Sequence, residues 1–450
     1  MSWLVKFGVA VSLISLTGCA AIDVGTGFDE VSTLVVERGG ADLHVVTQAD
    51  TAIAAEVKTH AQPTDGLSLD RALHVALTNS PALQAEYARL AISQADVLQA
   101  SLLKNPTLDN VIGAAVTPDP TRFAIGAVYP ILDLVYRESR IKAARADFRA
   151  IQIEVAESVI EHANEVTSAY LRLAQSKARL KAREEIVNLA HRQLQTVRRL
   201  EATGTTDSAD FAEIQSALIK AEIERKAEAG ERDAARIRLA GLIGSPLNAK
   251  LDTLLPIEKV SAYQASPDAL IVQAERQRLD LIRAEQEVEI RKIALQKSGR
   301  LLNDERTALG IEFEDEGEES FIGPSLSVEV PVFDRKQFKK ARARAELIEA
   351  ERRLEALKHS VETDVRAVHH QVLSRQETAL AHQNRLVPSR RTRAALAQER
   401  FNSGSIQAAE FLETQVAISE AKLAAIDAAA DYWEARVELA KVIGGWPSSF

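Results

Sequence analysis

The sequence predicts a mainly α-helical protein in which four strands per chain contribute to a membrane β-barrel. Long tracts rich in Ala, Glu, Arg, Leu and Gln indicate helices, whereas two segments, at 107–133 and 308–334, alternate apolar residues with small or polar ones. A period of two residues is typical of strands, because successive side chains point to opposite faces. The order of these elements also occurs twice along the chain, which indicates a duplication.

Each alternating segment is predicted to be a β-hairpin. In the first, Phe123, Ile125 and Tyr129 fall on one face, and residues 107–117 are expected to pair with them across Pro118-Asp119-Pro120. A lone hairpin is only marginally stable in water, so these strands need partners. In the second segment, one face of the predicted strand is formed by Leu326, Val328, Val330 and Val332.

The composition of the 450-residue chain limits its function. With 13 Pro, 20 Gly and a charged fraction of 26%, it favours long uninterrupted helices or coiled coil. The net charge is −9 with both signs mixed, so no nucleic-acid partner is expected. One cysteine excludes an intramolecular disulfide. Phosphate-binding loops, nucleophile elbows and metalloprotease motifs are lacking, so we expect no enzyme, no cofactor and no metal site.

The N-terminus has the pattern of an export signal. An apolar run at 7–16 is too short for a permanent transmembrane helix, and Leu16-Thr17-Gly18-Cys19 after it resembles a bacterial lipoprotein signal. On this interpretation residues 1–18 are a signal peptide and Cys19 carries the lipid anchor. Because Ala20 rather than Asp follows, the outer membrane is implied. The alternative is an ordinary signal peptide cleaved near Ala20-Ala21, which would remove Cys19.

Helices are predicted on both sides of the first hairpin. Residues 19–66 are expected to be an extended N-terminal segment on the surface, and 67–103 to be helix with a break at Asn79-Ser80-Pro81. Residues 134–202 contain neither Pro nor Gly, and such a helix is roughly 100 Å long. Its coiled-coil seam repeats every seventh residue, at Val159, Val166, Leu173, Leu180, Val187 and Leu194.

The second half of the chain repeats the first. We divide it into a first repeat at 67–250, a linker at 251–265 and a second repeat at 266–450. Pro388 has no counterpart and is expected to bend or loosen the second long helix. Matches at an offset of 200 or 201 residues include Gly204 with Gly404, Phe211 with Phe411, Gly244 with Gly444 and Pro130 with Pro331.

Strands in a lipid bilayer must satisfy every edge hydrogen bond, so only a closed barrel is possible there. Four strands are too few to close a barrel, whereas three chains would supply about twelve. The helices would then continue the barrel as a second, helical one. Four aromatic residues at strand ends are expected either to form an interfacial girdle or to pack in the core, namely Phe123, Tyr129, Phe321 and Phe333.

In this layout the chain resembles the TolC-type outer-membrane efflux family over residues 67–446. The resemblance depends on the Asn79-Ser80-Pro81 break, Asn105-Pro106 before the first strand, and the closing Ile-Gly of each repeat. It also includes the Pro-x-x-Asp sequences at Pro130 and Pro331. The resemblance implies a homotrimer with a 12-stranded outer-membrane barrel and a periplasmic helical tunnel. It also implies two partners, a periplasmic adaptor (membrane fusion protein) and an inner-membrane pump of the proton-driven resistance-nodulation-division type.

The resemblance also implies functional roles for the two helix–helix turns. They would dock the adaptor, although any helical hairpin needs such a turn and glycine often provides it. The docking candidates are Gly204, Thr205, Thr206 and Ser208 in the first repeat and Gly404, Ser405 and Ile406 in the second. Acidic residues near the same turns are candidates for a periplasmic gate, although acids also favour helix N-termini. These are Asp207, Asp210, Glu410 and Glu413.

An acidic run is predicted at the turn of the second hairpin. In a barrel it would lie at the extracellular mouth and favour cations, or it would simply keep the loop soluble. The run consists of Glu312, Glu314, Asp315, Glu316, Glu318 and Glu319. The function predicted overall is a passive exit duct for small molecules or ions. The alternative is a periplasmic coiled-coil adaptor or scaffold lipoprotein without a pore, which would have compact β domains with more strands.

Overall fold

The computed structural model describes residues 27–40, 43, 66–113, 122–202, 208–246, 251, 253, 256–257, 259–260, 262–298, 307–315, 320–328 and 332–447. The first half comprises α1 (Phe28–Val36), α2 (Leu69–Asn79), α3 (Pro81–Ser101), β1 (Thr107–Gly113), β2 (Arg122–Tyr129), α4 (Leu132–Ala202) and α5 (Ser208–Leu242). The second half comprises α6 (Pro267–Gln277), α7 (Leu279–Ser298), β3 (Ala308–Asp315), β4 (Ser320–Ser327), α8 (Gln337–Ala381), a π-helical turn (His382–Leu386), α9 (Val387–Asn402) and α10 (Ala408–Val442).

These elements lie in four parallel columns. The four strands form one antiparallel sheet in the order β1-β2-β3-β4. Beyond the sheet the helices pack in the matching order α3, α4, α7, α8, and farther from it in the order α5, α4, α10, α9. We number the columns accordingly: column 1 holds β1, α3 and α5, column 2 β2 and α4, column 3 β3, α7 and α10, and column 4 β4, α8 and α9. Columns 1 and 4 are the two edges of the chain.

The long helix α4 is held by its apolar seam, as the heptad pattern predicts. Val159, Val166 and Leu173 are buried, and Val187 is also buried nearer the far end. The polar positions beside the seam, such as Lys177, are exposed toward that end, so the seam becomes shallower there. At about 1.5 Å per residue, the 71 residues of α4 span roughly 100 Å. The far ends of the helices are therefore remote from the sheet.

The second long helix is interrupted just before Pro388, where residues 382–386 form a π-helical turn. Pro388 has no backbone N–H to donate, and the preceding Val387 N–H bonds instead to His382 O, five residues back. Buried positions recur every seventh residue up to Ala379 and resume at Ala394, one residue later than an unbroken heptad. The turn therefore absorbs one residue, which confirms the expected distortion.

In each repeat, a kink between two short helices packs against a glycine at the end of the return helix. A Cβ atom on Gly244 would lie 2.6 Å from Asn79 O, and one on Gly444 would lie 2.8 Å from Arg278 N and Cα. Both glycines have positive φ, 65° and 70°, which ends α5 and α10 in the left-handed conformation. The duplicated Ile-Gly sequence is thus explained by packing, since only glycine allows this close approach.

The N-terminal segment is not extended throughout, which corrects the expectation for residues 19–66. Phe28–Val36 is a helix whose apolar side is buried in the main core, beside α4. Arg38 follows it, with its guanidinium donating to Leu34 O at 2.5 Å and Gln277 O at 2.6 Å, while its own carbonyl accepts from Trp446 N at 3.0 Å. The segment therefore ties both repeats together.

The junction between sheet and helix depends on Asp133, which is completely buried. Its carboxylate accepts from the Arg140 guanidinium and from Lys104 N. Arg140 also donates to Ala100 O at 3.0 Å and Leu102 O at 2.9 Å, which are carbonyls at the end of α3. Burial alone would raise the pKa of Asp133, but the hydrogen bonds from Arg140 and Lys104 outweigh it and lower the pKa.

Both predicted hairpins are present, with one correction. β4 runs from Ser320 to Ser327, so the alternation from Leu326 to Val332 was placed several residues too late. Pairing with β3 places Leu326 opposite Leu309. Val328 follows the strand, Val330 lies outside the described residues, and Val332 is in a bend. The register follows from pairing across a short turn rather than from the longest alternating run.

Candidate functional site

The turn between α9 and α10 is the described half of the predicted docking surface. Gly404 has φ 70°, and Ser405 N donates to Arg400 O at 2.8 Å, which closes the end of α9. Gly404 and Ser405 are exposed and Ile406 is half-buried. A Cβ atom on Gly404 would have no neighbour within 4 Å. The backbone of this turn is therefore open to a partner.

The ends of the two helical hairpins pack together. Val197 of α4 and Ile214 of α5 are buried in one cluster with Phe401 of α9. The rings of Phe401 and Phe411 are stacked with centroids 4.8 Å apart, and the Arg198 guanidinium lies 5.8 Å from the centroid of Phe211. The ends of α4, α5, α9 and α10 that border the turns therefore lie together at one end of the molecule.

The first turn lies between α4 and α5. Gly204, Thr205, Thr206 and Asp207 lie outside the described residues. Ser208 begins α5 and Asp210 lies in its first turn, but the described structure does not extend to their side chains. In the second repeat, the acidic candidates are Glu410 and Glu413. They lie at the start of α10, and both side chains are exposed. Exposed acids at a helix N-terminus are compatible with a gate in an assembly and equally with a solvated helix end.

An ionic cluster farther from the turns was not predicted. Arg179 of α4 donates to Glu228 of α5 at 3.0 Å and to Asp427 of α10 at 2.6–2.7 Å, so one guanidinium joins three helices. Arg183 pairs with Glu224 at 2.5 Å one turn along. Burial would lower the pKa of Arg179, but its two carboxylate partners raise it. No local sequence signal marks this cluster, because the partners of Arg179 are 49 and 248 residues away.

The opposite end of the molecule is a sheet with two different faces. Residues directly opposite each other in neighbouring strands share a face, and the register therefore assigns each residue. One face is apolar and largely exposed, with Leu108 77%, Ile311 61% and Ile322 76% accessible. Its members within the sheet are Leu108, Ile125, Ala127, Tyr129, Leu309, Ile311, Phe313, Ile322, Pro324 and Leu326, and Ser320 lies on the same face at the first position of β4.

The second face carries small and polar residues, and Glu312 and Glu314 lie on it within β3 rather than in the turn. Asp315 also lies in β3, whereas Glu316, Glu318 and Glu319 are outside the described residues. Phe321 is opposite Glu314 and so lies on this face rather than on the apolar one. Phe333 follows the strand and is exposed, and Tyr129 ends β2 on the apolar face.

Two further predictions from the sequence concern the membrane. Cys19 lies outside the described residues. Within the described part of the chain, none of the helices is both long and apolar enough to cross a bilayer.

The fold and its two ends define a class of protein: two tandem long helical hairpins joined to a four-stranded sheet with one apolar face. The family model described as "Outer membrane efflux protein" matches residues 72–245 and 302–445, which together exceed half of the chain. The chain therefore belongs to the outer membrane efflux protein family, and the resemblance to TolC-type proteins is confirmed.

Several solved structures have the same fold. A membrane protein from Pseudomonas aeruginosa is 17% identical, with a TM-score of 0.68 over 84% of this chain and 93% of that one. The outer membrane protein VceC from Vibrio cholerae is 14% identical, with a TM-score of 0.67 over 84% and 96% of the two chains. The open state of the Neisseria gonorrhoeae MtrE outer membrane channel is 15% identical, with a TM-score of 0.67 over 84% and 89%. A comparison with curated proteins gives no match.

Proposed function

We propose that this protein is the outer-membrane exit duct of a tripartite export system and acts as a homotrimer. The observation that carries the proposal is the two-faced sheet with free edges at β1 and β4. A sheet with one exposed apolar face and one small, polar face has the pattern of a segment of a membrane barrel. Family membership supports an efflux role in the outer membrane.

The two faces support one orientation of the sheet in the proposed membrane barrel. The face containing Ile311 and Ile322 would contact lipid, and the face containing Glu312 and Glu314 would line the pore. The reverse orientation would place carboxylates in hydrocarbon, where buried charge is strongly unfavourable. Three copies joined β4 to β1 supply twelve strands and remove every free edge. Columns of helices then continue the barrel as a tunnel.

The far ends of the helices are the proposed contact with the rest of the system. They lie roughly 100 Å from the sheet, and the turn at Gly404, Ser405 and Ile406 presents open backbone. We propose that this end, together with Gly204, Thr205, Thr206 and Ser208, receives the hairpin tips of a periplasmic adaptor. A proton-driven inner-membrane pump would supply the energy, and Cys19 would anchor the chain in the outer membrane.

The test is single-channel conductance of the detergent-extracted protein in a planar bilayer. We expect discrete steps of uniform size from a species with the mass of three chains. A protein that extracts as a monomer and never conducts would contradict the duct and favour a periplasmic scaffold. Because the purified protein lacks its partners, conductance tests the pore independently of the adaptor and the pump.

A second prediction concerns the proposed gate. Replacing the acidic pair by D207A with D210A is expected to raise the resting conductance, because the change removes both bulk and charge from the narrow end. The control is D233A. Asp233 is an exposed acid of α5 that lies far from the turns and pairs with Arg232 at 3.0 Å. Equal conductance in D207A/D210A, D233A and the wild type would exclude these two residues as the gate. The same comparison applies to Glu410 and Glu413.

A further inference from the structure

Helix α9 and the π-helical turn before it form an unusually basic edge. Between residues 385 and 400 there are five arginines and only one acid, Glu399, in a chain whose net charge is −9. Arg390 is half-buried and the other four are exposed. Among the described residues, none of the five forms an ion pair. Like charges one helical turn apart repel one another, and here no ion pair offsets that repulsion. They are Arg385, Arg390, Arg391, Arg393 and Arg400.

The arginines of α8 behave differently, although α8 lies in the same column. Most are neutralised within the helix by acids three or four residues away, which is the spacing that brings side chains together. The pairs include Arg342 with Glu346 at 2.8 Å, Arg352 with Glu355 at 2.5 Å, Arg353 with Glu349 at 2.6 Å and Arg366 with Glu362 at 2.9 Å. Lys339, Lys340 and Arg344, near the sheet end of α8, have no ion pair among the described residues either, so α9 differs in having no paired arginine rather than in having the only unpaired ones.

The opposite edge of the chain, α5, carries both apolar and charged groups. Ile219 and Ile223 lie one turn apart and are 51% and 65% exposed. The exposed charged residues nearby are two acids, Glu213 and Glu222, and two bases, Lys220 and Lys226. Glu222 also lies 3.4 Å from His191 of α4, a contact that leaves it about half exposed.

The two edges lie at the same height. Lys422 of α10 pairs with Glu185 of α4 at 2.9 Å, so the two hairpins are aligned along their length. Counted from the two turn glycines, Arg385 lies 19 residues before Gly404 and Ile223 lies 19 residues after Gly204. The basic part of α9 and the part of α5 that carries Glu213, Glu222 and the two isoleucines are therefore level with each other.

We propose that α9 of one copy packs against α5 of the next copy, with the arginines facing Glu213 and Glu222 and with Leu386 and Leu396 facing the isoleucines. Leu386 and Leu396 are 37% and 56% exposed. The inference rests on the proposed homotrimer. Because the columns within a chain run from 1 to 4, cyclic closure brings column 4 of one copy against column 1 of the next. Charge matching then sets the height at which they dock.

The test is disulfide cross-linking between copies. Cys19 is the only cysteine in the sequence, so the background is simple. Oxidation of I223C/L386C is expected to give covalently linked trimers on a denaturing gel, and neither single variant should do so. The matched control is I223C/I348C, because Ile348 is 50% exposed in the same column but lies 38 residues farther from the turn.

The contribution of charge is tested in the cross-linking variant itself. R385E/R393E is expected to lower the cross-linking yield about tenfold, equivalent to about 1.4 kcal/mol, and the added swap E213R/E222R should restore it. The readout does not require the trimer to dissociate, since the barrel would still hold the copies together.

A wild-type trimer that conducts, combined with I223C/L386C that cross-links no better than I223C/I348C, would overturn the inference and leave the proposed function intact. A second outcome would also overturn the inference. If R385E/R393E left cross-linking unchanged but abolished capture of an adaptor, the arginines would be assigned to binding an acidic adaptor. A monomeric wild type without conductance would instead be a failure of the proposed function.

Discussion

Gly444→Ala is expected to destabilise the protein by about 2–5 kcal/mol, as the sum of backbone strain and a steric clash. The φ of 70° at this position disfavours any residue with a Cβ atom. The added Cβ would also lie 2.8 Å from the backbone of Arg278. Backbone atoms cannot relieve such a clash by changing rotamer, as a flexible side chain could. Thermal unfolding followed by tryptophan fluorescence is a suitable measurement, because Trp446 is buried two residues away.

Two other glycines separate the causes. Gly404 has the same φ of 70° but no neighbour near its Cβ position, so G404A should show the strain without the clash, about 1–2 kcal/mol. Gly230 lies within α5 with open space around it, so G230A should be stabilising by about 0.5–1 kcal/mol. Equal losses in G444A and G404A would mean that the contact with the Arg278 kink does not matter.

Most of the fold was predictable because it depends on local signals. The break at Asn79-Ser80-Pro81, the turn at Gly404 and the seam of α4 are each encoded by residues adjacent in sequence or one heptad apart. Helix α1 was missed because nine residues carry too weak a periodic signal, and its burial depends on α4, which is more than 90 residues away in sequence. The start of β4 was misplaced because strand register depends on the partner strand.

The candidate site, too, has features that the sequence predicts and features that it does not. The turn glycines were predictable, since a glycine that ends a helix has a recognisable context. The Arg179 cluster was not, because its partners Glu228 and Asp427 are 49 and 248 residues away. The two faces of the sheet also required the register, since alternation alone does not say which strands share a face. Long-range pairing is what the structure adds.

The second large effect is expected for Asp133. D133A should destabilise the protein by about 3 kcal/mol, because it leaves the Arg140 guanidinium and Lys104 N without their acceptor at a buried position. Without Asp133, the Arg140 side chain is also less firmly positioned to bond to the carbonyls that end α3. The orientation of the sheet relative to the helices should therefore become less well defined. Thermal unfolding measures the first effect, and trimer yield from the membrane measures the second.

The duplicated chain provides the control at the equivalent position. Asp334 is exposed, and within the described part of the chain its carboxylate accepts only a local bond, from Lys336 N at 2.8 Å, so D334A should change stability by about 0.5 kcal/mol at most. The pH dependence supplies a further check on Asp133. Its lowered pKa means that the ionised form stabilises the fold at neutral pH, and this contribution is lost as the pH falls below 3.8. The difference between wild type and D133N should therefore shrink in acid. A difference that is independent of pH would indicate that shape rather than charge holds the junction.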